Sequence, residues 1–338
     1  MPHLIIPIFI AHEGCPHRCI FCDQHTITGN PAAESRKIGL ETVKETIEKW
    51  LAYSQREQKA TVQVAFYGGS FTGLPIQRQK ELLGAARPYL DDVRVDSIRI
   101  STRPDYIDEN IVSLLQQYSV SVVELGIQSL DPHVLETSTR GHTDKQSESA
   151  VHLLRESGFT VGLQVMCGLP GDSTCRLMAT AKKAAELGPD FVRIYPTLVI
   201  KGSGLEKMYL EGNYRPLSLL KALALASRMK EVFDRHHIRV VRMGLQTSLE
   251  LEKKIVAGPY HPAFGELVLT RDLFSRARKL LHRHRQKAPK ILSVAAADES
   301  AFRGKNNASL KRLAALGLLE GIEVVFDKEQ DRNTIKLY

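Results

Sequence analysis

The segment Gly14-Cys15-Pro16-His17-Arg18-Cys19-Ile20-Phe21-Cys22-Asp23-Gln24 places three cysteines in a C-x3-C-x2-C spacing, directly behind the apolar run at residues 4–11. Thiolates so close in sequence can ligate a metal or a cluster at little loop-closure cost. They leave a fourth ligand position open, and an open position points to chemistry rather than scaffolding. The competing reading is a zinc site completed by His12, His17 or His25.

Only two cysteines lie elsewhere, Cys167 and Cys175. An odd total with three clustered argues against a disulfide framework and for reduced thiols. Cys167 sits in an apolar run and Cys175 in a helix-like one, so both read as inert thiols that pack as small hydrophobes.

Outward from the cysteine loop the chain alternates. Residues 4–11 read as a strand, and 39–53 as a helix with Leu40, Val43, Ile47, Trp50 and Leu51 at the helical period. Strands are expected at 61–67, 97–101, 121–127, 160–166 and 191–195. Helices are expected at 76–89, 108–118, 143–157, 172–187 and 217–236. Six strands, each followed by a helix, imply a parallel sheet with helices outside it. Polar or glycine-rich signals recur just past strand after strand: the cysteine loop, Gly68-Gly69-Ser70, Ser101-Thr102-Arg103-Pro104, Gln128-Ser129, Gly168-Leu169-Pro170-Gly171 and Pro196-Thr197. A closed or partial barrel converges all of these on one mouth, whereas an open doubly wound sheet concentrates its site at one switch point. The expected fold is therefore α/β, a partial (β/α)6 barrel of the TIM type.

Past His236 the pattern changes. Residues 238–242 read as a further strand, 258–262 as a turn-rich linker and 267–285 as a basic helix. Residues 290–338 read as strand, helix, Gly304-Lys305-Asn306-Asn307, helix, strand and strand, a small α/β module. Three segments follow: a barrel at 1–245, a linker with the basic helix at 246–289, and the module at 290–338.

Composition bounds the rest. The 338 residues are 43% hydrophobic and 25% charged, ordinary for a soluble globular protein. No apolar run approaches the roughly 18 residues of a membrane span, and the first strand lacks the basic leader of a signal peptide. A cytoplasmic protein with no membrane partner is expected. The net charge of +8 permits a polyanionic partner. From Gly265 onward there are 15 Lys and Arg against 9 Asp and Glu, so most of the excess lies in the tail.

The cysteine loop, with Phe21 before its last cysteine and a diglycine past the second strand, resembles the radical S-adenosylmethionine (SAM) superfamily. The resemblance implies a [4Fe-4S] cluster on Cys15, Cys19 and Cys22, with SAM on the fourth iron. It implies reductive cleavage of SAM to a 5′-deoxyadenosyl radical, fed by an electron donor such as flavodoxin or ferredoxin. Within the superfamily, Ser101-Thr102-Arg103-Pro104-Asp105-Tyr106, Glu124-Leu125-Gly126-Ile127-Gln128-Ser129, Arg140-Gly141-His142-Thr143 and Ile194-Tyr195-Pro196-Thr197 are similar to segments of the Elongator catalytic subunit. The oxygen-independent coproporphyrinogen oxidases are more distant relatives.

Residue by residue, the resemblance places Gly68, Gly69 and Ser70 at the methionine amino group, where glycine leaves no Cβ to obstruct a ligand. Gln128 matches a glutamine at the ribose, and Arg140 an arginine at the methionine carboxylate. Phe21 and Leu169 would flank the adenine. Gln164 stands where the coproporphyrinogen enzyme has a carboxylate. Ser101 stands where both relatives have Glu, so the ribose contact would be weaker or moved to Arg103 or Gln128.

Only about ninety residues follow Gly244, with no discernible acetyl-CoA phosphate loop, which puts acetyl transfer and a carboxymethyl-type product in doubt. The tail instead resembles the βααβ core of a KH RNA-binding domain, in which a GXXG turn clamps the nucleic-acid backbone. Gly304, Lys305, Arg283 and Arg285 are the candidate RNA contacts. The expected function is a radical SAM enzyme that modifies RNA, a tRNA base above all, with no DNA partner. The alternatives are a radical SAM enzyme acting on a small molecule such as a tetrapyrrole, and a metal-stabilised RNA-binding protein without catalysis. Methylthiolation is disfavoured, because Cys167 and Cys175 are too few for a second cluster.

Overall fold

The computed structural model describes residues 3–10, 13–15, 19–22, 38–53, 61–284 and 290–338. Seven strands run parallel in a single sheet: β1 (His3–Phe9), β2 (Thr61–Tyr67), β3 (Ser97–Thr102), β4 (Val120–Gln128), β5 (Thr160–Cys167), β6 (Phe191–Pro196) and, skipping a short diverted strand, β8 (Arg239–Met243). Among the described residues each strand of this sheet lies beside its predecessor, so the order does not reverse at a switch point. That winding is the barrel type, and β1 and β8 form its two unjoined edges. The sheet is a curled partial barrel, as expected, with the strand read at 238–242 adding a seventh stave. The two-residue β7 (Val199–Ile200) leaves the sheet and pairs antiparallel with β9 (Ile255–Ala257), which directly follows the short helix α9 (Leu249–Lys254).

The crossover helices are α1 (Leu40–Tyr53), α2 (Ile76–Asp91), α3 (Glu109–Gln117), α5 (Asp144–Glu156), α6 (Thr174–Glu186) and α8 (Leu219–Arg235), with the short α4 (Pro132–Thr137) and α7 (Gly204–Leu210) set in loops. Their starts are written locally. Asp108, Asp131, Ser173, Ser203 and Ser218 each accept a backbone N–H at a helix entrance. Thr143 and Gln146 form a reciprocal capping box at α5, an arrangement in which each cap contributes about 1 kcal/mol. Between sheet and helices lies a continuous core that includes the fully buried Phe66, Phe71, Phe233, Ile98 and Ile100.

α10 (Phe264–His284) begins three residues earlier than the hydrophobic period suggested. Its early residues Phe264 and Val268 join the barrel core, while Leu273, Ala277 and Leu281 join a second core. That second core is completed by β10 (Ile291–Ala295), α11 (Glu299–Arg303), α12 (Ala308–Ala315), β11 (Glu323–Asp327) and β12 (Ile335–Leu337). β10 is central, parallel to β11 and antiparallel to β12. The basic helix read from sequence thus has an apolar stripe along its length, which ties the module to the barrel. Buried Lys230 of α8 fixes the junction, reaching Asp234 at 2.5 Å and Asp272 of α10 at 3.6 Å.

Phe302 is fully buried and meets Phe326 edge-on at 6.2 Å. Phe302→Ala should cost about 3–5 kcal/mol. Hydrogen exchange should show the loss in β10 and β11, with β2–β5 still protected. Equal loss across the barrel strands would mean that the two cores unfold as one.

Candidate active site

The cysteine loop is held to the barrel mouth by backbone packed against backbone. A Cβ on Gly14 would collide with the Ser70 carbonyl, one on Gly69 with the Glu13 and Ile10 carbonyls, and one on Gly73 with the Gly14 carbonyl. Gly14 also has φ +74, a left-handed value that favours glycine. Ser70 N donates to Glu13 O at 3.1 Å and closes the contact. A side-chain clamp reinforces it. Glu13 accepts from Ile38 N at 3.3 Å and faces Arg78 Nε at 3.4 Å, and Arg78 Nη2 donates to Ile38 O at 2.6 Å. Residues 13 and 38, on either side of the cysteine segment, are thereby fastened to α2.

Ser70 is fully buried, with its hydroxyl 3.0 Å from Thr102 Oγ1 and accepting from Arg103 N at 3.3 Å. It joins the loop after β2 to the loop after β3. Gly68 beside it has φ 91. The diglycine therefore serves close chain approach on its Gly69 side, a use the sequence did not distinguish from ligand approach.

Arg103 and Arg140 are both buried next to the thiols. Arg103 pairs bidentately with Asp105 at 2.9 and 2.8 Å, and its buried Nη1 has no partner among the described residues. Burial opposes its charge, yet Asp105 and the nearby Cys19 and Cys15 hold its pKa above the ordinary value. Arg140 donates from Nη1 to Cys19 Sγ at 3.0 Å, from Nε to His142 Nε2 at 3.2 Å, and from Nη2 to the Gly126 carbonyl. Gln128 ends β4 with φ 62, and its buried Oε1 has no partner among the described residues. Gly126 leaves the space in which the Gln128 and Arg140 side chains sit, since a Cβ there would stand 3.0 Å from Gln128 Nε2.

Phe21 and Leu169 pack in one apolar cluster with Cys19, Val134, Val199 and Leu205. Gln164 donates to Ser101 Oγ at 3.1 Å and to Glu124 Oε2 at 3.2 Å. The pair expected near the ribose is therefore joined directly, and Gln164 leans on a residue that the sequence reading left without a role. Glu124 is fully buried, at 2.8 Å from Arg99 and from Arg193, and accepts from Tyr67 Oη at 3.2 Å. Burial and the Glu124 charge push Tyr67 up to about 12. Burial works against the Arg193 charge, but Glu124 and the tyrosines keep its pKa raised. The signal was present, because strands buried on both faces are near-continuous apolar runs. Arg99, Glu124, Gln164 and Arg193 break that rule at inward positions.

Of the candidate RNA contacts, Lys305 and Arg283 are exposed, and Arg285 lies outside the described residues. The turn between α11 and α12 has Gly304, Asn306 and Asn307 at φ 64, 55 and 59. Asn is the residue type that best tolerates this geometry after glycine.

Among the described residues, no group of three His, Cys, Asp or Glu side chains stands close enough together to hold a metal ion. His12, His17 and His25, the zinc reading's extra ligands, lie outside those residues. The donor set nonetheless fits a sulfur-ligated anionic group in chemistry and charge. Three thiols share one loop, two guanidiniums compensate them from buried positions, and Arg103 Nη1 with Gln128 Oε1 supply an unmatched donor and acceptor. Unmatched buried polar atoms in a native fold call for a partner.

A family model described as "Radical SAM superfamily" matches residues 9–184, and one described as "Radical_SAM C-terminal domain" matches 189–273. An uncharacterized protein of Methanocaldococcus jannaschii is 32% identical over 220 residues, covering 63% of this chain and 66% of that protein. The tRNA uridine(34) acetyltransferase of the same organism is 26% identical over 300 residues, covering 78% of this chain and 54% of that one. Among solved structures, Elp3 of Methanocaldococcus infernus, with N-terminal residues 1–46 deleted, superposes with a TM-score of 0.61 at 23% identity. The superposition covers 79% of this chain and 61% of that structure. This chain thus spans between about half and two thirds of these relatives. Among the described residues, no helix is long and apolar enough to cross a membrane.

Burial, aided by the Arg140 charge, pushes His142 down to about 4. The folded chain then binds fewer protons than the unfolded one between that value and about 6.5, so stability falls as pH drops through this window. Asp172, raised by burial to about 6, works in the opposite direction. Asp172 is common to wild type and His142→Asn and cancels in their difference. Denaturant titrations from pH 7 to 4 should show the wild type losing up to about 3 kcal/mol more than the variant. Equal pH slopes would mean that His142 is not held neutral.

Proposed function

We propose that this chain, which belongs to the radical SAM superfamily and is an enzyme of that kind, modifies a base of tRNA. The observation that carries the reading is the barrel mouth, where the cysteine loop is packed against the diglycine and lined by buried Arg103 and Arg140 and half-buried Gln128. The similarity to a protein named tRNA uridine(34) acetyltransferase supports tRNA as the substrate class. Membership of an enzyme superfamily removes the support for a non-catalytic RNA-binding protein.

In this reading Cys15, Cys19 and Cys22 hold a [4Fe-4S] cluster. With SAM bound, that group supplies a radical able to abstract hydrogen from the substrate. The chain's own residues bind and orient. Gly68 and Gly69 let backbone approach the methionine end, Gln128 takes the ribose with the Gln164–Ser101 pair behind it, and Phe21 with Leu169 flanks the adenine. Arg103 Nη1, buried and unmatched, is a further donor for an anionic group.

The module at 290–338 holds the polyanion, with Lys305 in its left-handed turn and Arg283 on α10. An electron donor of the flavodoxin or ferredoxin type is expected.

Anaerobic reconstitution should yield about four irons and SAM-dependent release of 5′-deoxyadenosine. In a strain lacking the gene, a tRNA nucleoside should change. Unaltered nucleosides together with intact SAM cleavage would move the enzyme to a small-molecule substrate. Binding of bulk tRNA should weaken steeply with salt, with a slope of about −0.7 to −0.9 per phosphate contacted. Replacing Lys305 and Arg283 by Ala should make that slope shallower, and an unaltered slope would remove the module from RNA binding.

A further inference from the structure

Arg140 is held from three sides. Its Nε donates to His142 Nε2 at 3.2 Å, its Nη2 to the Gly126 carbonyl, and its Nη1 to Cys19 Sγ at 3.0 Å. His142 can accept because its other nitrogen, Nδ1, faces Thr143 O at 3.2 Å, which places the ring proton there. Ser147 Oγ lies 3.4 Å from the same nitrogen. Both Arg140 and His142 are buried, so the guanidinium plane is fixed without help from water. A lysine could supply the charge but not three simultaneous directions.

A hydrogen bond to a ligand sulfur and a buried positive charge both favour the more negatively charged state of an iron–sulfur cluster, which is the reduced one. Resemblance to relatives assigned Arg140 to the methionine carboxylate. In this structure the direction nearest the cysteine loop meets sulfur. We propose that Arg140, positioned by His142 and the Gly126 carbonyl, raises the one-electron reduction potential of the cluster through its hydrogen bond to Cys19, independently of bound SAM. This rests on the reading that Cys15, Cys19 and Cys22 carry a [4Fe-4S] cluster. It adds a role for Arg140 that the methionine end of SAM does not require.

The test is a potentiometric titration of reconstituted full-length protein without SAM, with dithionite as reductant and the spectrum of the reduced cluster as readout. Wild type, Arg140→Met and Arg140→Lys are compared at equal iron content. At a fixed applied potential, the reduced-to-oxidised ratio should fall about tenfold in Arg140→Met, equivalent to 59 mV for one electron. Arg140→Lys, which keeps the charge and loses the fork, should fall by less. A merely structural role would lower the melting temperature or iron content and leave the potential of loaded protein unmoved. Potentials equal to wild type in the variants would overturn the proposal while leaving the cluster reading intact. A wild type that assembles no four-iron cluster would overturn both. If Arg140→Met takes up no iron, Arg140→Lys decides alone: a lowered ratio supports the proposal and an unchanged one overturns it.

Discussion

Backbone meets backbone where the loop after β1 crosses the loop after β2, and no side chain of any size fits between them. Gly14, Gly69 and Gly73 lie within contact of carbonyl groups on the opposite strand of chain. Everything at the mouth depends on that approach, because it sets the height of the cysteines above the strand ends. Ser70 extends the joint to the next loop through Thr102 and Arg103. Three consecutive strand ends are therefore locked before any ligand is considered. The ordering cost of a cysteine segment fastened at both ends is largely met by folding itself.

Below the mouth the barrel is closed by charge rather than by hydrocarbon alone. Glu124 is shared by Arg99 and Arg193, with Tyr67 and Gln164 completing its shell. Removing one partner of so buried a charge cluster typically costs about 3–5 kcal/mol. The hub spans β2 to β6, and through Gln164 it also sets Ser101. Rigidity of the bore and placement of the Gln164–Ser101 pair thus share one carboxylate.

Much of this was legible in the residues. The strand and helix alternation from residue 4 to 236 follows from hydrophobic period and turn chemistry, and the observed elements agree within a few residues. The cysteine spacing, the diglycine and the polar residues past the strand ends identified the mouth because those signals are local. Three things were not legible. The apolar stripe of α10 was obscured by its many arginines, so a helix contributing to two cores read as a basic connector. Glu124 was quoted only as part of a motif, because its partners lie 25 and 69 residues away. Ser70 read as a ligand-side residue, since nothing local reveals that Thr102 takes its hydroxyl.

The sequence by itself determined the class of fold, the spacing of the thiol loop and the polar residues that follow the strand ends. Those properties reside in spacing, which a linear chain displays. The tertiary structure decided which of those residues face one another. It turned Arg140 toward Cys19, left Arg103 Nη1 and Gln128 Oε1 unmatched, and set Glu124 between two arginines. Such pairings arise from the stagger and curl of neighbouring strands, quantities that no single strand carries in its own residues.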